Sequence, residues 1–318
     1  MKLLVTGGMG FIGANFLEYM LEKYPNYEFV CIDNLSVPDS KNNIGLFNNY
    51  KNYKFINADI TNEDEINRIF SLEHFDIVIN FAAEVAVDYS IENPNIFLKT
   101  NILGTAVLMN ACLKYNVARY HQISTDEVYG DLPLDSTIEF DELQQLNPSS
   151  PYAASKASAD LLVLSYYRTY GLKVTISRCT NNYGPHQSYR ALIPLTIKNC
   201  IQNKRIPIFG KGDNIRDWIY VLDHVKAIDL ILHHGSIGEI YNISGNSKRD
   251  DLYVVNRIIE LTNSNKDLIT FVKDRPGHDV MYSITSKKIE DELKWKRDYS
   301  FEEGLDKTIN WYINNSNK

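Results

Sequence analysis

The chain has 318 residues, with 33 basic against 40 acidic side chains for a formal charge of −7, and is 44% hydrophobic. That length suggests one large domain or two smaller ones of about 100–200 residues each. A hydrophobic share near the globular average, with 16 Gly and 10 Pro, excludes a disordered, collagen-like or low-complexity chain, and the acidic balance without a Lys/Arg cluster excludes a dedicated nucleic-acid or anionic-membrane surface.

Over the first 125 residues short apolar runs alternate with helical patterns: strands at 2–6, 28–33, 76–82 and 120–124, helices at 11–23 and 96–115. This alternation implies βαβ crossovers and a parallel sheet covered on both faces, an α/β doubly wound domain. A further strand is predicted at 173–177, after a helix that begins near Ser150. Beyond about Asn181 the pattern loosens into turn-rich stretches, with helices at 192–203, 221–233 and 251–263. The predicted division is 1–180 with a returning 215–245 for the sheet domain, and 181–214 with 246–318 for a smaller, mostly C-terminal substrate-binding domain. No repeat of 20–50 residues is present, and the Asn-rich 314–318 is given no role. Cys31, Cys112, Cys179 and Cys200 have no CxxC or framework spacing and read as reduced core residues in a cytoplasmic setting. The opening MKLLVTGG is too short an apolar run for a signal peptide. No segment gives about 18 uninterrupted apolar residues.

The first strand runs into Gly7, Gly10 and Gly13, the last two flanking Phe11 and Ile12 at the head of a helix. Glycines at a strand-to-helix turn allow tight geometry, close approach to a pyrophosphate and close helix packing, with the helix N-terminus facing the anion. Twenty residues after Gly13, Asp33 ends the second strand, where a carboxylate accepts from both ribose hydroxyls and repels a 2′-phosphate. No Lys or Arg lies between Ile32 and Ser40, so the cofactor is predicted to be NAD, with Asn34 alongside. Asp59 and Ile60 read either as an adenine-edge contact or as the N-cap region ahead of Glu63.

Two further segments carry chemistry. Ser124-Thr125-Asp126-Glu127 ends a sheet strand, where open α/β sheets bind ligands. Tyr152 and Lys156 open a helix one turn apart and share a face. An ammonium about 4 Å from a phenol, at an effective dielectric of about 20, is worth up to roughly 4 kcal/mol, so Lys156, helped by a cationic nicotinamide, is expected to bring Tyr152 toward neutrality as a base. Thr125 shares the phenol's hydrogen bonds, and Asp126 with Glu127 offers an acid and a base if their surroundings separate their pKa values. His233 and His234 read as a helix C-terminal charge, and no metal site is predicted.

The motifs LVTGGMGFIG, NFAAE, STDEVYGDLP, SPYAASKASAD, RCTNNYGP, IPIFGKGDNIRDWIYVLDH, YNISG and DRPGHD resemble the extended short-chain dehydrogenases/reductases and, among them, the dTDP-glucose 4,6-dehydratases. The resemblance implies a Rossmann-type sheet and a 4-keto-6-deoxy sugar nucleotide as product. By it, Ala82 joins the cofactor contacts, Asn181, Arg216 and Arg275 hold the substrate pyrophosphate, and Glu84, Arg190, Asn242 and His278 complete the substrate site. The chain departs from the family at Ala86, Tyr89, Arg190 and Ala191, near the hexose pocket. The resemblance therefore leaves open dTDP or UDP, glucose or N-acetylglucosamine, and inversion at C5. Rivals on the same scaffold are a UDP-sugar 4-epimerase, a UDP-glucuronate decarboxylase and, in another class, a non-catalytic NAD-binding protein. Apolar stripes on 96–115 and 153–170 resemble the helices that form homodimers in the class.

Overall fold

The computed structural model describes residues 1–274 and 279–315. Strand β1 (Lys2–Thr6) feeds helix α1 (Phe11–Lys23), then β2 (Glu28–Asp33), β3 (Tyr53–Asn57), α2 (Glu63–Glu73) and β4 (Ile77–Asn80). Strands β1, β2 and β4 are mostly buried and apolar, as parallel strands covered by helices on both faces must be, whereas the edge strand β3 is partly exposed. Short helices α3 (Val87–Glu92) and α4 (Pro94–Phe97) precede a wide π-turn over Leu98–Gly104, which runs into α5 (Thr105–Lys114) and β5 (Arg119–Thr125). The sequence predicted one regular helix there. Gly104, which ends the widened turn, packs on Ile60, whose Cδ1 would lie 2.6 Å from a Cβ there. The widened turn carries Asn101, whose side chain accepts from Glu84 N (2.8 Å) and donates to Glu84 O (3.0 Å) and Ser155 Oγ (2.8 Å). Residues 94–114 are long and apolar enough to cross a membrane by length and composition, but these polar bonds tie them into the fold.

Helix α6 (Pro151–Tyr170) leads to β6 (Val174–Cys179) and the short β7 (Asn181–Tyr183). Ser150 caps α6 by accepting from Ala153 N, and Pro151 fits its first turn. Then come α7 (Leu192–Ile201), β8 (Ile206–Phe209), β9 (Ile215–Tyr220), α8 (Val221–His234) and β10 (Ile240–Ile243). The chain closes with β11 (Lys248–Asp250), α9 (Asp251–Leu261), β12 (Ile269–Val272), α10 (Lys287–Leu293) and α11 (Phe301–Asn315).

Seven parallel strands form the main sheet in the order β10-β6-β5-β4-β1-β2-β3. One apolar layer joins α2, α5 and α6 to the sheet through Phe70, Leu108, Met109 and Val163. The opposite layer joins α1 and α8 through Phe16, Met20, Val225 and Ile228. A smaller core holds Ile197, Trp218, Val255 and Leu305 around the three-stranded sheet β11-β9-β7. Because β9 pairs in that small sheet, the chain returns to the large one at Val221, not at 215. The strand order reverses between β1 and β4, whose C-terminal ends open a crevice.

Candidate active site

A cleft of ≈ 350 Å³ occupies that crevice. Its floor is the glycine turn. Gly7 has φ +66°, and a Cβ there would lie 2.6 Å from Ala82 N; a Cβ on Gly13 would lie 2.5 Å from Gly7 O. Side chains are excluded at both places, and Gly10 caps α1 with no side chain over its first N–H groups. A phosphate can therefore reach the helix end. Gly7, Gly10, Phe11, Ile12, Gly13, Asn34, Ile60 and Ala82 all line the cleft.

Asp33 sits at the tip of β2, its oxygens accepting from Met9 N (3.0 Å) and Leu35 N (2.8 Å). Burial pushes its pKa up against those two bonds. Lys156 is the only Lys or Arg among the described lining residues, so nothing beside Asp33 would hold a 2′-phosphate. The donor set fits NAD. Asn62, not Asp59, caps α2, and the Asp59 carboxylate accepts from Thr61 N (2.8 Å) and from Nδ2 of the lining residue Asn34 (3.1 Å).

At the end of β5, Thr125 caps a single 3₁₀ turn, Asp126–Tyr129, by accepting from Glu127 N (3.3 Å). This turn aims Asp126 and Glu127 into the cleft that Tyr152 and Lys156 also line. Thr125 Oγ1 donates to Asp126 Oδ1 (3.2 Å), while Asp126 Oδ2 is buried without a hydrogen-bond partner. Burial, then the charges of Glu127 and Asp217, push the Asp126 pKa well above the carboxylate range. That direction favours the protonated form, which suits a proton donor.

The phenol is surrounded by buried neighbours. Burial first, then Glu127, push the Tyr152 pKa well above 10, with the Thr125 hydroxyl pulling the other way. Lys156 Nζ donates to Ile123 O (2.6 Å), and burial lowers its pKa. The four-residue spacing puts both groups in one cleft.

The substrate residues divide. Asn181 lines the cleft with a buried, unpartnered Oδ1. Glu84 also lines it, on the side of Ser36, whose Oγ is 3.5 Å from its carboxylate. Arg190 is exposed and outside the lining. Arg216 lies behind the cleft: its guanidinium donates to Ile215 O (2.8 Å) and Asp279 O (2.9 Å), stacks 4.9 Å from the Tyr282 ring and acts on Asp126 by charge. Asn242 is a packing residue, fully buried, accepting from Tyr129 OH (2.8 Å) and donating to Phe140 O (3.3 Å). Arg275 and His278 lie outside the described residues. Of the other family departures, Ala86 is the N-cap residue of α3, Tyr89 packs on Phe97 and Ala191 is the N-cap residue of α7.

Sequence reasoning missed a cover over the cofactor half. Ser188 donates to Asp39, His186 Nδ1 lies 3.0 Å from Asn43 Oδ1, and Asn43 Nδ2 donates to Met9 O (2.8 Å). Asp39, Asn43, His186 and Ser188 all line the cleft. No motif announces them, since two loops from different lobes meet only after folding.

The family model described as GDP-mannose 4,6 dehydratase matches residues 4–308. A dTDP-glucose 4,6-dehydratase of Salmonella typhimurium is 42% identical, over 99% of this chain and 94% of its own length. The crystal structure of dTDP-glucose 4,6-dehydratase from Bacillus anthracis in complex with NAD is 42% identical with a TM-score of 0.92, covering 100% of this chain and 98% of that one. DesIV, a dTDP-glucose 4,6-dehydratase from Streptomyces venezuelae with NAD and TYD bound, is 37% identical with a TM-score of 0.94 and the same coverage.

Proposed function

The chain belongs to the GDP-mannose 4,6-dehydratase family, and from that premise we infer that it is an NAD-dependent nucleotide-sugar 4,6-dehydratase acting on dTDP-glucose. The observation that carries this reading is the Asp126–Glu127 carboxylate pair at the end of β5, lining one cleft with Tyr152 and a glycine turn. A 4-epimerase needs no second acid and base next to the phenol.

Gly7, Gly10, Gly13 and Asp33 would hold NAD, which would supply reversible hydride acceptance for the chemistry at C4 and C6. Tyr152 removes the proton of the 4-hydroxyl, with the Thr125 hydroxyl stabilising the phenolate. Oxidation must come first: an unactivated C5–H is too weak an acid for a carboxylate, whereas beside a C4 ketone its carbanion is delocalised as an enolate. Glu127 takes the C5 proton, and Asp126 gives its proton to the departing 6-hydroxyl, which leaves as water. The product is a 4-keto-6-deoxy sugar nucleotide, with no net use of NAD. Asn181 Oδ1 accepts from the substrate.

Exposed Leu98, Leu103 and Leu161 support a homodimer face, and four buried thiols fit a reducing compartment such as the cytoplasm. The test is incubation with dTDP-glucose, UDP-glucose and UDP-N-acetylglucosamine in deuterated water, read by NMR. A 6-deoxy-4-keto product from dTDP-glucose with deuterium at C5 is expected, and its stereochemistry reports whether the proton returns to the same face. A 4-epimer without C5 label would overturn the reading.

A further inference from the structure

The described residues contain a second cavity, ≈ 270 Å³ in volume, which shares no lining residue with the catalytic cleft. It lies in the smaller lobe, between the β11-β9-β7 sheet, the turn after β10 and the segment that starts α11. Tyr183, Tyr220, Tyr299 and Phe301 give it aromatic walls. Its polar side is cationic. Arg249 donates to Lys248 O (2.7 Å) and lies over the Tyr253 and Phe301 rings, 5.4 and 6.0 Å from their centres. Among the described residues it has no carboxylate within ion-pair distance. Arg297, also lining, is satisfied by Ser244 O (2.7 Å) and Glu290 (2.9 Å). Asp223, the one acidic lining residue, is committed as well, its two oxygens accepting from Asp298 N (2.9 Å) and Tyr299 N (3.2 Å).

A further lining residue, Trp218, is 7% exposed, and its indole Nε1 is buried without a hydrogen-bond partner. A buried N–H left unmatched is costly and uncommon in native chains, so this donor calls for an acceptor. The cavity is near the lower end of the roughly 300–1,000 Å³ range of small-molecule sites, larger than a bare phosphate needs. An unpaired guanidinium stacked on rings suits an anion with a planar body. We propose that this cavity is a second ligand site, taking a small phosphate or carboxylate carried on a ring, with Arg249 holding the charge and Trp218 Nε1–H donating to the anion. It is separate from the dehydratase cleft.

The experiment is a calorimetric titration of phenyl phosphate into enzyme saturated with NAD and dTDP, so that the catalytic cleft is filled. One equivalent per chain is expected to bind, with a change in tryptophan fluorescence. Arg249→Met should weaken binding about tenfold or more, and Trp218→Phe, which removes only the N–H, about three- to tenfold. Both variants should keep dehydratase activity, since neither side chain lines the cleft. Phenol and inorganic phosphate should each bind more weakly than phenyl phosphate. No binding with the cleft filled, or an unchanged Kd in both variants, would overturn the proposal and leave a cavity holding water only.

Discussion

Replacing Glu127 with Gln should split the reaction into its halves and reveal how the phenol is controlled. After burial itself, the charge of Glu127 is the largest influence holding the Tyr152 pKa up. A like charge at close range moves a pKa by about 1–3 pH units, so removing it lets Tyr152 deprotonate at lower pH. The sign follows from the role: a general base works above its pKa, and lowering that pKa extends C4 oxidation toward acid. Elimination, meanwhile, loses its base and should fall about 10²–10⁴-fold. The assay mixes holoenzyme with dTDP-glucose across the pH range, following reduced-nicotinamide absorbance and product NMR. Bound NADH is expected to accumulate, with the acid limb of oxidation shifted down by about one pH unit or more. Normal formation of the keto-deoxy product would show that another group takes the C5 proton. An unmoved acid limb would show that the Glu127 charge does not govern the phenol.

Asp126→Asn should slow dehydration of dTDP-glucose about 10²–10⁴-fold yet spare a 6-fluoro analogue, whose leaving group needs no proton; equal loss on both substrates refutes the acid role. Gly13→Ala drives a Cβ to 2.5 Å from Gly7 O and 2.7 Å from Gly8 Cα, and overpacking of about 1–3 kcal/mol should weaken NAD binding by roughly 5–150-fold; calorimetry showing an unchanged Kd would place the cofactor elsewhere. Burial pushes His121 and His224 down to about 3 from an unfolded value of about 6.5. The unfolded chain thus binds protons in that window that the folded one refuses, and stability falls as pH drops below about 6.5, by up to roughly 1.4 kcal/mol per pH unit for each histidine. Urea midpoints between neutral and mildly acid pH should drop less steeply in His224→Gln than in the unchanged chain, and parallel slopes would refute the linkage.

The sheet was legible because its signals are local. Lys2–Thr6, Glu28–Asp33 and Ile77–Asn80 are apolar runs bounded by turn residues, and the Gly7, Gly10 and Gly13 spacing states its own backbone requirement. What escaped depends on distant partners. The periodicity of 96–115 is the same for a regular helix and for one widened at Leu98–Gly104, so the widening leaves no mark in the sequence pattern. The segment 215–245 reads from sequence as a return to the large sheet, but Ile215–Tyr220 pairs instead with Asn181–Tyr183 and Lys248–Asp250.

The candidate catalytic residues were legible where two neighbours on one element fix a direction. Thr125, Asp126 and Glu127 follow one another off a strand end, and Tyr152 and Lys156 share a helical face, so little beyond local geometry is needed to bring them together. Arg216 and Asn242 show the limit: a motif gives the residue type, but the side chain's direction is chosen by what packs behind it, here the Asp279 carbonyl in one case and Tyr129 in the other. Charge is the least local property of all. The Tyr152 phenol responds to Glu127, Asp126 and Cys179, which lie on other elements, more than to the lysine one turn away. A spacing rule can place an acid beside a base, but the proton's preference is a sum over every buried neighbour, and only the folded chain performs that sum.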